Sequence, residues 1–195
     1  MTVDDVVSVV MRDKAFYQER GGVTLSGGEP MAHPNEALAL LGACKAQGIR
    51  TALETCGYFP TDYVERLCAV TDLFLYDVKD TDPTRHQAYT GVGNDLILKN
   101  LLAIDACGGR TRLRCILVAG VNTNLAHYQN LADIFNSLKH CDGVELLPYH
   151  AYAGSKMLPL GKADNGKTQW IPTKKAVEEA REFLVSQGVV TYGEA

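Results

Sequence analysis

Gly21 to Pro30 reads GGVTLSGGEP, and the rest of the chain can be worked out from it. A short strand, Val23-Thr24-Leu25, runs straight into Ser26-Gly27-Gly28-Glu29, so side chains vanish where the strand ends. Two glycines at a strand's carboxyl end let main-chain N–H and C=O groups approach a ligand that a Cβ would hold away. A carboxylate follows at once. The same letters suit an ordinary tight turn into a helix, so the neighbouring segments must decide between the two.

Upstream, Thr2 and Asp5 form a capping-box pattern ahead of Val3, Val6, Val7, Val10 and Met11, which predicts an opening helix with no strand before it. Downstream of the strand predicted over 23–26, Leu38, Leu41 and Cys44 mark a helix that stops at Gly48, and a strand follows over 50–54. Val64, Leu67 and Cys68 share a helical face, and 73–78 reads as an apolar strand. Leu98, Leu101, Leu102 and Ile104 predict a helix ending at Gly108-Gly109, then a strand over 112–118. Tyr128, Leu131, Ile134, Phe135 and Leu138 fit one helix, and a strand over 144–147 is closed by Pro148. Residues 151–172 carry Gly154, Pro159, Gly161, Gly166 and Pro172 without periodicity; a connector that long is expected to be a functional lid. A last helix from Thr173 leads to a strand over 189–192.

Short strands alternating with helices imply right-handed βαβ units in one α/β domain spanning residues 1–195, with a parallel sheet buried on both faces. Ligands in such folds sit at the carboxyl ends of the strands. Those ends carry Ser26-Gly27-Gly28-Glu29, Glu54-Thr55-Cys56-Gly57, Asp77-Val78-Lys79-Asp80, Arg114 to Val118, and Leu147-Pro148-Tyr149-His150. Taken singly, Glu54 or Asp77 reads as a helix cap or loop acid, Lys79 as surface charge, Arg114 as an interior ion-pair partner and His150 as a loop residue. Five consecutive strand ends make a rim. Carboxylates, Lys, Arg and His beside an opened backbone suit a zwitterionic ligand with ammonium, carboxylate and hydroxyl groups. Alternatively Glu54, Thr55 and Asp77 offer oxygens to a hard cation. A nucleophilic triad fits less well: Ser26 lacks the G-x-S-x-G elbow, and only His140-Cys141 sets a cysteine beside a histidine.

Composition narrows the classes. The 195 residues are 46% hydrophobic and 22% charged, ordinary for a globular protein, and the net charge of −4 argues against a nucleic-acid partner. No apolar run is long enough for a membrane span, and the first twenty residues do not read as a signal peptide, so the expected location is cytoplasmic. The six cysteines have no C-x2-C or C-x3-C spacing and are expected to be free thiols.

VTLSGGEP, ETCG, LYDVK, LRCILVAGVN and ELLPYH, in that order and at these separations, resemble the glycyl-radical-enzyme activating enzymes of the radical S-adenosylmethionine superfamily, with pyruvate formate-lyase activating enzyme as the type. The resemblance spans essentially the whole chain and implies a partial (β/α)6 TIM-like barrel. It implies that the backbone of Ser26, Gly27, Gly28 and Glu29 meets the amino group of S-adenosylmethionine. Glu54, Thr55, Asp77 and the carbonyl of Leu75 would form a monovalent-cation site at the cofactor's carboxylate, which Lys79 also contacts. Arg114 would lie beside the methionine moiety, Ile116 along the adenine, and His150 at the ribose. The implied reaction uses a reduced 4Fe–4S cluster, fed by a flavodoxin or ferredoxin-type donor, to cleave S-adenosylmethionine to a 5′-deoxyadenosyl radical. That radical takes hydrogen from a glycine of a pyruvate formate-lyase-like partner.

The resemblance breaks at one point. The family binds its cluster through C-x3-C-x2-C on a loop after a first strand, and this sequence has neither, so Met1 resembles an internal start. The chain by itself is therefore expected not to cleave the cofactor. An alternative is a non-catalytic module that binds S-adenosylmethionine or the partner. Without a first strand, the edge near 23–26 is expected to promote self-association, which light scattering over a concentration series checks.

Overall fold

The computed structural model of the protein describes residues 2–17, 21–150 and 168–193. One six-stranded sheet organises them: β1 (Gly22–Leu25), β2 (Arg50–Thr55), β3 (Leu73–Val78), β4 (Thr111–Leu117), β5 (Cys141–Pro148) and β6 (Thr191–Tyr192). Every strand pairs in parallel with the next in the chain, in the order β1-β2-β3-β4-β5-β6, with β1 and β6 at the two edges. Before β1 come the helices α1 (Val3–Arg12) and α2 (Lys14–Tyr17), and between the strands run α3 (Pro34–Ala46), α4 (Val64–Val70), α5 (Pro83–Thr90), α6 (Asp95–Ala106), α7 (Leu125–Ser137) and α8 (Lys174–Ser186). Sequential parallel order without closure is the architecture expected of a partial (β/α) barrel.

The helix starts follow from local chemistry. At α1 the capping box is complete: Asp5 N–H donates to Thr2 Oγ1 at 3.2 Å, and Thr2 N–H donates to Asp5 Oδ2 at 2.7 Å. Asp82 caps α5 by accepting from Arg85 N–H at 2.8 Å, with Pro83 in the first turn and left-handed Gly91 at the end. Periodicity does not predict that helix, because PTRHQAYT has no apolar stripe; its caps are the available signal. Asn124 caps α7 and Thr173 caps α8 in the same way.

The strands alternate. Thr51, Leu53, Thr55, Phe74, Tyr76, Val78, Leu113, Cys115, Leu117, Val144 and Leu146 are buried on the side that shares a core with Leu41, Leu67, Leu101, Ile104, Leu131 and Leu184 of the helices. Their intervening neighbours, among them Glu54, Leu75, Asp77, Arg112, Arg114 and Glu145, are only half-buried. The expectation of a sheet buried on both faces is thus corrected: helices cover one face, and the other is an open face lined with charge. Strand β5 begins earlier than predicted, at Cys141, and β6 is shorter, at two residues. Of the expected lid, residues 151–167 lie outside the described residues; Thr168–Trp170 forms a 3-10 turn whose Trp170 carbonyl accepts from Ala119 N–H at 2.9 Å.

Candidate functional site

The open face gathers four of the predicted side chains into one ionic row. Register sets Asp77 beside Arg114 and Arg114 beside Glu145 on adjacent strands. Arg114 Nη1 lies 2.6 Å from Glu54 Oε1 and 3.7 Å from Asp77 Oδ1, while its Nε is 3.8 Å from Glu145 Oε2. Lys79 Nζ reaches Asp77 Oδ2 at 2.6 Å, and Ser26 Oγ donates to Glu54 Oε2 at 2.8 Å. Partial burial disfavours the Glu54 charge, yet Arg114 and Ser26 outweigh it and hold the carboxyl below its ordinary range. Arg114 is likewise shifted upward: desolvation is overcome by Glu54, Asp77 and Glu145. Its Nη1 is buried and held by Glu54 at 2.6 Å, so a ligand oxygen must compete with that carboxylate for it.

Gly27 and Gly28 sit at the end of this row. A Cβ built on either would meet nothing within 4 Å, so the backbone faces open space, and Gly27 has a φ of 130° that disfavours other residues. From Ser26 and Gly28 a cleft of about 440 Å³ extends to His33 and Glu36. At the far end, a cavity of about 240 Å³ is lined by Lys79, Ile116, Val118, Tyr89, Tyr149 and Trp170. Trp170 stands edge-on to Tyr89 and Tyr149, with ring centroids 6.1 and 5.8 Å apart. Tyr149 is fixed by its N–H bond to Leu117 O at 2.9 Å, and His150 follows it, exposed, on the rim.

Two predicted residues turn elsewhere. The Glu29 carboxylate accepts from Met31 N–H (3.0 Å), Thr55 Oγ1 (2.8 Å) and Cys56 N–H (2.7 Å), so it buckles the β1 loop to the β2 loop. Thr55 is 2% exposed on the helix side, donates its hydroxyl proton to Glu29 and accepts from Gly57 N–H at 3.0 Å. Its side chain therefore points away from Glu54, as strand alternation requires. Gly57 is required where it stands: at φ 77°, a Cβ would collide with Tyr76 Oη. Its carbonyl accepts from buried Asn100, which also holds Phe59 O. Burial pushes the Cys56 thiol up to about 11, helped by Glu29.

Several supporting residues carry no signal in the sequence. Asn122, 1% exposed, donates to Lys79 O (3.1 Å) and Ile116 O (2.8 Å) and accepts from Val118 N–H (2.7 Å), lacing the ends of β3 and β4 together. Behind the rim, Asp80 holds Arg85 through two bonds of 2.9 Å, and buried His127 lies 3.2 Å from Cys115 Sγ. This cysteine–histidine contact joins a strand to a helix, whereas the sequence offers only His140-Cys141. Both of its members are fully buried, so it is packing rather than an accessible nucleophile.

The chemistry of this donor set fits a zwitterion carrying an apolar end: opened backbone, paired carboxylates and cations, then an aromatic-walled cavity. It does not fit a metal cluster, since no group of three or more His, Cys, Asp or Glu among the described residues could hold a metal ion. No helix among them is long and apolar enough to cross a membrane.

Comparison with known proteins sharpens this. The choline trimethylamine-lyase activating enzyme of Oleidesulfovibrio alaskensis is 40% identical over 164 residues, covering 82% of this chain and 53% of the relative. The trans-4-hydroxy-L-proline dehydratase activating enzyme of Clostridioides difficile is 36% identical over 94% of this chain and 62% of its own length. The chain thus spans little more than half of the curated relatives it matches. A crystal structure of a domain of pyruvate-formate lyase-activating enzyme from Bacteroides vulgatus superposes with a TM-score of 0.73 at 28% identity, covering 89% of this chain and 99% of that one. Residues 1–133 match the Radical SAM superfamily, which implies S-adenosylmethionine and a 4Fe–4S cluster as its cofactors. Sequential parallel strands, a glycine-opened first strand end and the match over most of the chain agree, and the chain belongs to the radical SAM superfamily.

Proposed function

We propose that this chain is the S-adenosylmethionine-binding and partner-facing body of a glycyl-radical-enzyme activating enzyme. The open backbone at Gly27-Gly28, standing at one end of the Glu54–Arg114–Asp77–Lys79 row, is the observation that carries it. Main-chain groups of Ser26 to Glu29 take the ammonium; Lys79 and Arg114 take the carboxylate and orient the methionine end. Ile116 and the aromatic-walled cavity receive the adenine, with His150 at the ribose. Glu54 and Asp77, with the carbonyl of Leu75, are the proposed seat of a monovalent cation, a role that requires Arg114 and Lys79 to release them and from which the Thr55 hydroxyl, bound to Glu29, drops out.

Bound there, S-adenosylmethionine supplies the 5′-deoxyadenosyl group that such enzymes use to abstract hydrogen from a partner's glycine. No set of cluster ligands occurs among the described residues, and the steps assigned to them stop short of the reduction. What they do is bind, orient and shield the apolar end from water. A pyruvate formate-lyase-like partner, a flavodoxin or ferredoxin-type reductant and a cytoplasmic location complete the proposal, supported by the relatives named as activating enzymes and by six free cysteines.

Calorimetry with S-adenosylmethionine tests the binding claim. A saturable heat that is lost in Arg114→Ala is expected; no heat, together with binding of a sugar phosphate, overturns it. Iron–sulfur reconstitution followed by dithionite reduction tests cleavage separately from binding. We expect binding without cleavage by this chain, and release of 5′-deoxyadenosine would show that it completes a cluster after all.

A further inference from the structure

Strands β3 and β4 stay paired up to Val78 beside Cys115. The next residues in that register are Lys79 and Ile116, one proposed for the carboxylate of the ligand and the other for its adenine. There the strand pairing stops and a side chain takes over. Asn122 Nδ2 donates one proton to Lys79 O at 3.1 Å and the other to Ile116 O at 2.8 Å, while Oδ1 accepts from Val118 N–H at 2.7 Å. Two carbonyls on one side of the amide and an N–H on the other leave it a single orientation. Both donor protons are spent on the protein, so Asn122, 1% exposed, acts through its neighbours and has no donor left for a ligand.

The turn that carries this amide is itself tied down. Val121 N–H and Asn122 N–H both donate to Val118 O, at 3.1 and 3.2 Å, around Gly120 with its φ of 73°. Ala119 N–H in the same turn donates to Trp170 O at 2.9 Å, so a wall of the aromatic cavity is fastened to it as well.

We infer that Asn122 is a positioning residue for the proposed S-adenosylmethionine site, on which the inference rests: its amide fixes the spacing between the residue that holds the methionine end and the residues that hold the adenine. When both ends of a ligand are held at a set spacing, binding one end presents the other at high effective concentration. Without the amide two carbonyls lose their partners and the ends of β3 and β4 part. The loss then falls on the ligand that spans both ends and spares a ligand that occupies only one.

The test compares the whole ligand with its halves. NMR titration measures S-adenosylmethionine, methionine and 5′-methylthioadenosine against the wild type, Asn122→Asp and Asn122→Ala, with circular dichroism to show that each protein is folded. Asn122→Asp keeps the shape of the side chain and the acceptor for Val118 but has no N–H for the two carbonyls. Both variants are expected to bind S-adenosylmethionine about tenfold more weakly, while each half stays within about twofold of its wild-type affinity. An amide that only supported the fold would weaken all three ligands together. In the wild type, exchange of the Val118 amide proton should slow more with S-adenosylmethionine than with either half, a readout that stands even if neither variant folds. Equal losses for the whole and the halves, unchanged affinity in both variants, or Val118 exchange that answers one half as fully as the whole overturns the inference. A wild type that binds none of the three ligands overturns the proposed site, and the role of Asn122 falls with it.

Discussion

The two faces of the sheet are built from the same strands and behave as different materials. On β3, Phe74, Tyr76 and Val78 are buried in the common core, while Leu75, Asp77 and then Lys79 look onto the open face. Since the side-chain period is two, a one-residue slip in pairing would exchange these sets and put charge into the core. Apolar burial, at about 25 cal/mol per Å² of area removed from water, lies mainly on the first face and fixes the register. The second face takes that register as given and uses it to space its charges. Stability and ligand chemistry are therefore separable here, residue by residue along one strand.

That separation can be broken or sharpened by substitution. The largest effect is expected from Phe74→Ala: a fully buried ring is lost from the core, at a cost of about 3–5 kcal/mol in urea unfolding. A loss below about 1 kcal/mol would mean that the helix-covered face does not carry the fold. Asp80→Asn should rank second. Asp80 is almost fully buried, and although burial works against its charge, His127 and Arg85 hold its carboxyl well below the usual range. A depressed folded-state pKa contributes stability above the unfolded value of about 3.9 and loses it as pH falls through the folded one. The wild type should accordingly weaken below about pH 4. The variant should start about 1.5–3 kcal/mol lower at pH 7 and show a flatter acid slope in urea midpoints measured at each pH. An unchanged slope would place the acid sensitivity elsewhere. The smallest stability change belongs to the open face. Lys79→Ala removes a half-exposed pair and should move unfolding by less than about 1 kcal/mol. The same change should weaken S-adenosylmethionine about tenfold, or about 1.4 kcal/mol, in calorimetry. A large loss of stability without a loss of affinity would erase the distinction between the faces.

The strand ends are legible because glycines, prolines and apolar runs are local signals, and 73–78 reads as a strand at its observed limits. The acids and bases of the rim are legible for the same reason. Alternation holds more than that: Arg112 and Arg114 flank Leu113, a pattern that already excludes a sheet buried on both faces, and Thr55 next to Glu54 must face the other way. What stays hidden depends on distant partners. Asn100 and Asn122 look like loop or surface residues until their carbonyl acceptors arrive from the segments that follow β2 and β3. Nor does a spacing of twelve mark Cys115 and His127 as neighbours, and α5 escapes because a polar helix leaves no periodic trace.

The strand order has a kinetic meaning as well. Every strand pairs with the next one in the chain, so no pairing must wait for a distant end of the polypeptide. Loop-closure entropy is then met in modest, similar instalments, and assembly can advance by adding one strand–helix unit to a growing edge. Because α6 braces the loop after β2 through Asn100, that loop gains its final shape only once the units on both sides have docked. The part of the rim that follows β2 is thus complete only when α6 is in place.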